Sequence, residues 1–186
     1  MAKTKVLITV KTYPTISTKY DELVCTAGFT EDGKWIRIYP IQFIKLGYEN
    51  QYKKYDWIEI DLVKNEEDFR PESFRPHSLE TEPQTVGTIN TDNYWEERKK
   101  AVLNKVYNNM ELLIEEAKNK EICTSLAVFK PHKVIDFIWE DVDRFWNKDK
   151  IDKMQQLSIF EKSEGSNNPI RKLPFKFSYI FEDITG

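Results

Sequence analysis

Cysteine and histidine are nearly missing from this chain: Cys25, Cys123, His77 and His132 are all it has in 186 residues. Neither histidine has a second His or Cys at metal-ligand spacing, which argues against a zinc centre. Each cysteine sits in an apolar, strand-like segment. Two buried, reduced thiols fit better than a disulfide, and that usage fits a cytoplasmic protein. No glycine-rich elbow or phosphate loop precedes a helix, so neither covalent catalysis nor a nucleotide cofactor is signalled. The strand Glu59-Ile60-Asp61-Leu62-Val63-Lys64 carries acids and a lysine but lacks the acidic-x-Lys spacing of a nuclease core. No catalytic residue, metal or cofactor is therefore expected.

Long apolar runs are also absent. No segment approaches the ~18 residues a membrane span needs. The basic N-terminus precedes only Val6 to Val10 before Lys11 interrupts, with no small-residue cleavage site, so it reads as a strand and not a signal peptide. A surplus of positive charge is missing too: 28 basic side chains face 31 acidic ones, a net charge of −3. A protein that coats DNA through bulk charge is excluded, and any nucleic-acid contact must use a local patch. No repeat or low-complexity tract is visible.

Aromatic side chains, by contrast, are abundant, with five Trp, nine Tyr and eleven Phe. That excludes a disordered chain and supplies rings for both a core and a surface. The stretch Glu22 to Ile41, ELVCTAGFTEDGKWIRIYPI, predicts two strands joined at Asp32-Gly33. Gly28 suggests a bulge in the first of them. In the second, Ile36 and Ile38 seal a core while Trp35, Arg37 and Tyr39 occupy the other face.

Lys5 to Tyr13 predicts the opening strand. Gln42 to Lys54 predicts a short helix broken at Gly47. Tyr55 to Val63 predicts a strand with Ile58, Ile60 and Leu62 inward and Trp57, Glu59 and Asp61 outward. Glu66 to Thr91 predicts one long crossing loop. Val102, Val106, Met110, Leu113 and Ala117 recur at helical spacing, which predicts one helix over 94–118 capped by Asn93 and Glu96. Ser125 to Glu140 predicts two strands bent at Pro131, 141–160 a partly helical stretch, 164–169 a turn, and Lys172 to Phe181 a last strand. The organisation expected is residues 1–90 as an N-terminal OB-like β-barrel portion, 91–121 as a helical insertion, and 122–186 as a C-terminal β/α portion. The fold class is α+β: a small OB-like antiparallel β-barrel with a long helical insertion and additional C-terminal strands.

Aromatic planes and guanidinium groups together are what proteins use to hold unpaired bases and phosphates. Trp35, Arg37 and Tyr39 on one strand face, Lys53, Lys54 and Trp57 nearby, and Arg70 and Arg75 in the Arg-Pro-rich loop form the expected nucleic-acid-binding set. The alternative is structural: Trp35 and Tyr39 pack beneath the helix, and Arg70 pairs with Glu66 or Asp68.

The residues Cys25, Ala27, Gly28, Gly33, Trp35, Ile36 and Arg37 resemble the N-terminal signature of prokaryotic dual OB-domain proteins. That resemblance covers twenty to forty residues. It implies an OB-type barrel, a fold that commonly binds single-stranded nucleic acid or oligosaccharide, and an association with bacterial defence systems. The expected function is a nucleic-acid-binding recognition module for single-stranded or end-containing nucleic acid. A protein–protein interaction module with a protein partner, and a small nucleotide-processing enzyme, are the alternatives. No membrane partner is expected.

Overall fold

The computed structural model describes residues 3–17, 21–43, 46–149, 151–152 and 171–185. It has a mixed α+β architecture whose main element is a curled, open sheet, a half-barrel. Its strands are β1 (Thr4–Lys11), β2 (Thr15–Ser17), β3 (Asp21–Thr30), β4 (Trp35–Ile41), β5 (Asp56–Ile60), β6 (Leu62–Lys64), β7 (Ser73–Pro76) and β8 (Gln84–Thr88). The order is β6-β7-β4-β3-β1-β5-β8, with β2 added beside β3. The pairings are antiparallel except β4 with β7, which is parallel. The two end strands, β6 and β8, do not pair with each other, so the sheet curls without closing.

Alternation decides which face is filled. Val6, Ile8, Val24, Ile36, Ile38, Ile58 and Ile60 point inward with Ile41, Phe43 and Tyr52, and all are buried. Burying a Val, Leu or Ile side chain contributes roughly 1.5–3 kcal/mol, so this stripe fixes the strand register. Tyr52 is fully buried, and its hydroxyl lies 2.6 Å from that of Thr26, so this buried hydroxyl pair is satisfied. The concave face is therefore filled by side chains, and the outer face is what remains for ligands.

The hairpin turn forms at Asp32-Gly33, where Gly33 has φ +76° and its N–H donates to the Thr30 carbonyl at 2.9 Å. β1 shifts register between Ile8 and Val10, directly opposite Gly28, the residue read from sequence as marking a bulge. A Cβ there would lie 1.8 Å from the Leu7 carbonyl oxygen, so the residue permits β1 and β3 to approach. A further register shift lies between Val24 and Thr26, against β4.

Four further expectations are corrected. The crossing loop over 66–91 contains β7 and β8, because Ser73–Pro76 finds β4 and β6 and Gln84–Thr88 finds β5. The strand read over 55–63 breaks at Asp61. In the described part of 42–54, a 3-10 turn at Tyr48–Asn50 stands where a short helix was expected. Finally, the helix over 94–118 is two helices, α1 (Asp92–Val102) and α2 (Met110–Lys118), separated by strand β9 (Val106–Tyr107). Val106 and Tyr107 pair in parallel with β10 (Val128–Phe129), and this tertiary pairing overrides the helical periodicity.

Asn93 does not act as the cap. Asn93, Tyr94 and Trp95 have φ of 49°, 54° and 67°, a left-handed stretch, so the right-handed helix begins only after Trp95. Arg98 ties α1 to the sheet: its guanidinium lies 4.1 Å from the Tyr55 ring and donates to the Ile89 carbonyl at 2.8 and 2.9 Å. Asn109 is the cap of α2, accepting from the Leu112 N–H at 2.9 Å.

Strands β11 (Lys133–Asp141) and β12 (Phe175–Glu182) form a separate antiparallel ribbon. The bend at Pro131 falls between β10 and β11, as the sequence suggests. The turn expected over 164–169, and most of the helical stretch expected over 141–160, lie outside the described residues. Among the described residues, no helix is long and apolar enough to cross a membrane.

Candidate functional site

Strand register builds the outer face. Trp57 on β5 stands opposite Leu7 on β1, Leu7 opposite Phe29 on β3, and Phe29 opposite Trp35 on β4. Alternation thus lays an apolar row across four strands. Its middle is covered, with Leu7 and Phe29 buried, while Trp35 and Trp57 at the ends stay half-exposed. Trp35 lies with its ring 4.0 Å from that of Phe29.

At the Trp35 end a cleft of about 300 Å³ opens. One wall is Phe29, Gly33, Lys34 and Trp35 with Pro71 and Glu72; the other comes from Asn104, Lys105, Tyr107 and the run Ile122 to Leu126. Glu116 of α2 organises that second wall. It accepts from the Tyr107 hydroxyl, from Thr124 Oγ1 at 2.9 Å, and stands 3.5 Å from Lys105 Nζ. The Tyr107 hydroxyl, with Thr124, holds the Glu116 carboxyl below the usual carboxylate range, and the same tyrosine raises the Lys105 ammonium. Lys34 pairs with Asp32 at 2.7 Å; that contact raises the lysine and lowers the acid.

The sequence-predicted residues divide between this cleft and other places. Arg37 does not line the cleft but clamps its two walls through Ser125 and Glu72. Its Nη2 donates to Ser125 Oγ at 3.1 Å, its Nη1 reaches Cys25 Sγ at 3.6 Å, and its backbone N–H donates to the Glu72 carbonyl at 2.8 Å. Ser125 in turn hydrogen-bonds Glu72. Tyr39, farther along β4, is exposed.

Arg70 is engaged. It donates to both carboxylate oxygens of Asp68 at 2.6 to 3.0 Å, as its structural alternative anticipated. That guanidinium, with Ser73, holds the Asp68 carboxyl well below its ordinary range. Arg75 lines a second cleft of about 400 Å³, where Lys64, Glu66 and Glu67 give mixed charge. Lys53 and Lys54 are exposed in a turn that Asp56 pins, accepting from the Lys53 N–H and the Thr88 hydroxyl, each at 2.6 Å. Trp57 sits at the opposite end of the aromatic row, with Lys5 Nζ 5.3 Å from its ring. Of the expected set, Trp35 lines the cleft and Arg37 braces its walls, while Trp57, the two lysines, Arg70 and Arg75 do not line it.

Phe29, Lys34, Lys105, Tyr107 and Ser125 are site residues that sequence reasoning missed. For Lys105 and Tyr107 a signal existed: the asparagines of Asn104 to Asn109 interrupt an otherwise helical pattern. Cys123 also differs from expectation. It is buried, but on a turn at φ 49° and not in a strand. Neither histidine lines the cleft beside it, so no imidazole stands ready to activate the thiol.

Residues 2–104 match a family described as a domain of unknown function (DUF8758), and residues 84–184 match a second, DUF8757. No curated protein and no solved structure matches the chain. Phe29 through Glu72 of the cleft fall in the first span and Lys105 through Leu126 in the second. Each span exceeds half the chain, which therefore belongs to the DUF8758 family through its N-terminal part and to the DUF8757 family through its C-terminal part.

Proposed function

We propose that the protein is a recognition module for single-stranded or end-containing nucleic acid, built on an OB-like half-barrel. In this reading an unpaired base enters the cleft against Trp35 and Tyr107, and Lys34 and Lys105 meet the flanking phosphates. The observation that carries the reading is the cleft itself, where aromatic rings and two lysines gather around a space at the small end of the ligand-pocket range. Arg37 acts as the clamp holding the two walls at the spacing a planar base needs, and makes no phosphate contact. The family resemblance of the Cys25 to Arg37 hairpin supports the same reading, as does its link to defence systems.

Fluorescence titration with short single-stranded oligonucleotides tests this. Stacking on one aromatic contributes roughly 1–3 kcal/mol, so Trp35→Ala should weaken binding about 5- to 150-fold. Two phosphate contacts should give a log–log salt slope of about −1.4, reduced by Lys105→Ala. Binding that ignores salt and both substitutions would refute the proposal.

A further inference from the structure

The β11–β12 ribbon presents a second surface, separate from the cleft. On one of its faces Phe137, Trp139, Phe175, Phe177 and Tyr179 stand side by side. Phe137 contacts both Phe177 and Tyr179, with ring centroids 5.9 and 4.8 Å apart, and Phe175 touches Phe177 at 6.2 Å. Trp139 stands opposite Phe177. Among the described residues these rings stand open: Trp139 is 65% exposed, Tyr179 66% and Phe177 55%. The opposite face carries Glu140 and Lys176, paired at 2.7 Å. A two-stranded hairpin is marginal alone and needs a second apolar layer against it.

We infer that this layer is the same ribbon of a second copy of the chain, the two aromatic faces stacking about a two-fold axis near Trp139 and Phe177. Three considerations select that occupant. The first is area. Aromatic side chains bury about 150–250 Å² each, so five roughly half-exposed rings per copy give about 1,100 Å² between two copies, which clears the ~1,000 Å² expected of a specific interface. No further partner is needed to reach it.

The second is self-complementarity. Within this face the one charged residue is Asp141, at the end of β11 opposite Phe175, so a two-fold stack places no like charges at its centre. The third is charge. The two strands carry Lys133 and Lys176 against Asp136, Glu140, Asp141 and Glu182, a balance that disfavours nucleic acid and anionic lipid on this ribbon.

Sedimentation equilibrium of the full chain across the micromolar range tests the assignment, with far-UV circular dichroism as the folding control. The parent chain should sediment as a dimer. Trp139→Glu should raise the dissociation constant about a thousandfold, because a two-fold interface loses each central aromatic twice. A second pair of variants does not depend on how Trp139→Glu folds. Phe177→Cys should form a covalent dimer under mild oxidation, whereas Lys176→Cys, on the opposite face, should not. A parent chain that is monomeric throughout overturns the inference. So does a dimer indifferent to Trp139→Glu, equal cross-linking of the two cysteine variants, or a monomer that co-sediments with phosphatidylcholine vesicles. None of these outcomes bears on oligonucleotide binding at the cleft.

Discussion

Replacing Gly28 with alanine should be the most damaging single-methyl change in the sheet. The new Cβ would stand 1.8 Å from the Leu7 carbonyl oxygen and 2.8 Å from its carbonyl carbon. A carbon–oxygen contact ordinarily needs about 3.3 Å, so β1 and β3 must part by about 1.5 Å. These atoms are backbone, and no side-chain rotation relieves the clash. The separation acts at the pairs Ile8↔Gly28 and Leu7↔Phe29, between strands whose Val6, Leu7 and Ile8 are fully buried. Two weakened backbone hydrogen bonds account for about 1–3 kcal/mol, and displaced core packing for about 1–3 more. Stiffening of the unfolded chain offsets only about 0.4–1 kcal/mol.

The expected loss is about 3 kcal/mol, a melting-temperature drop of about 6–12 °C for a chain of this size. Gly87→Ala is the internal control, since a Cβ at that position meets nothing within 4 Å. It should leave stability within about 0.5 kcal/mol of the parent. Thermal and urea unfolding followed by circular dichroism reads both variants. A Gly28→Ala protein as stable as Gly87→Ala would refute the close-approach argument and, with it, the β1–β3 register that places Leu7 opposite Phe29.

Two other outcomes follow from local contacts. Asp68→Asn should cost roughly 1–2 kcal/mol at neutral pH, because Arg70 and Ser73 both donate to the carboxylate. The folded carboxyl titrates below its unfolded value of about 3.9, so the unfolded chain takes up the proton first on acidification. The advantage over the variant is therefore full above about pH 4 and fades as pH falls through the lowered folded value; a difference that grows on acidification in urea-unfolding series would contradict this. Asn109→Ala removes the cap of α2 and should cost about 1 kcal/mol, visible as faster amide exchange at Leu112 and Leu113; unchanged exchange there would show that the cap contributes nothing.

Local pattern determined a definite share of this protein. The alternation Trp35-Ile36-Arg37-Ile38, the Asp32-Gly33 turn and the strand around Ile58 follow from period-two burial and turn chemistry, and all three occur where the sequence places them. The pairing of Arg70 with a near acid was legible for the same reason, since Asp68 is two residues away. What local pattern could not decide was pairing between distant segments. Val106 lies on a helical stripe by spacing, but Val128 and Phe129 offer Val106 and Tyr107 backbone partners that the helix cannot match. That choice ends α1, creates the second wall of the cleft, and brings Lys105, Tyr107 and Ser125 to Trp35 and Arg37. The expected binding set dispersed because its members were chosen by side-chain type. Their meeting depends on strand order, and two strands, β3 and β1, separate β5 from β4. The sequence by itself determined which side chains face outward; the tertiary structure decided which of them face one another, because contacts between remote segments carry no local periodicity.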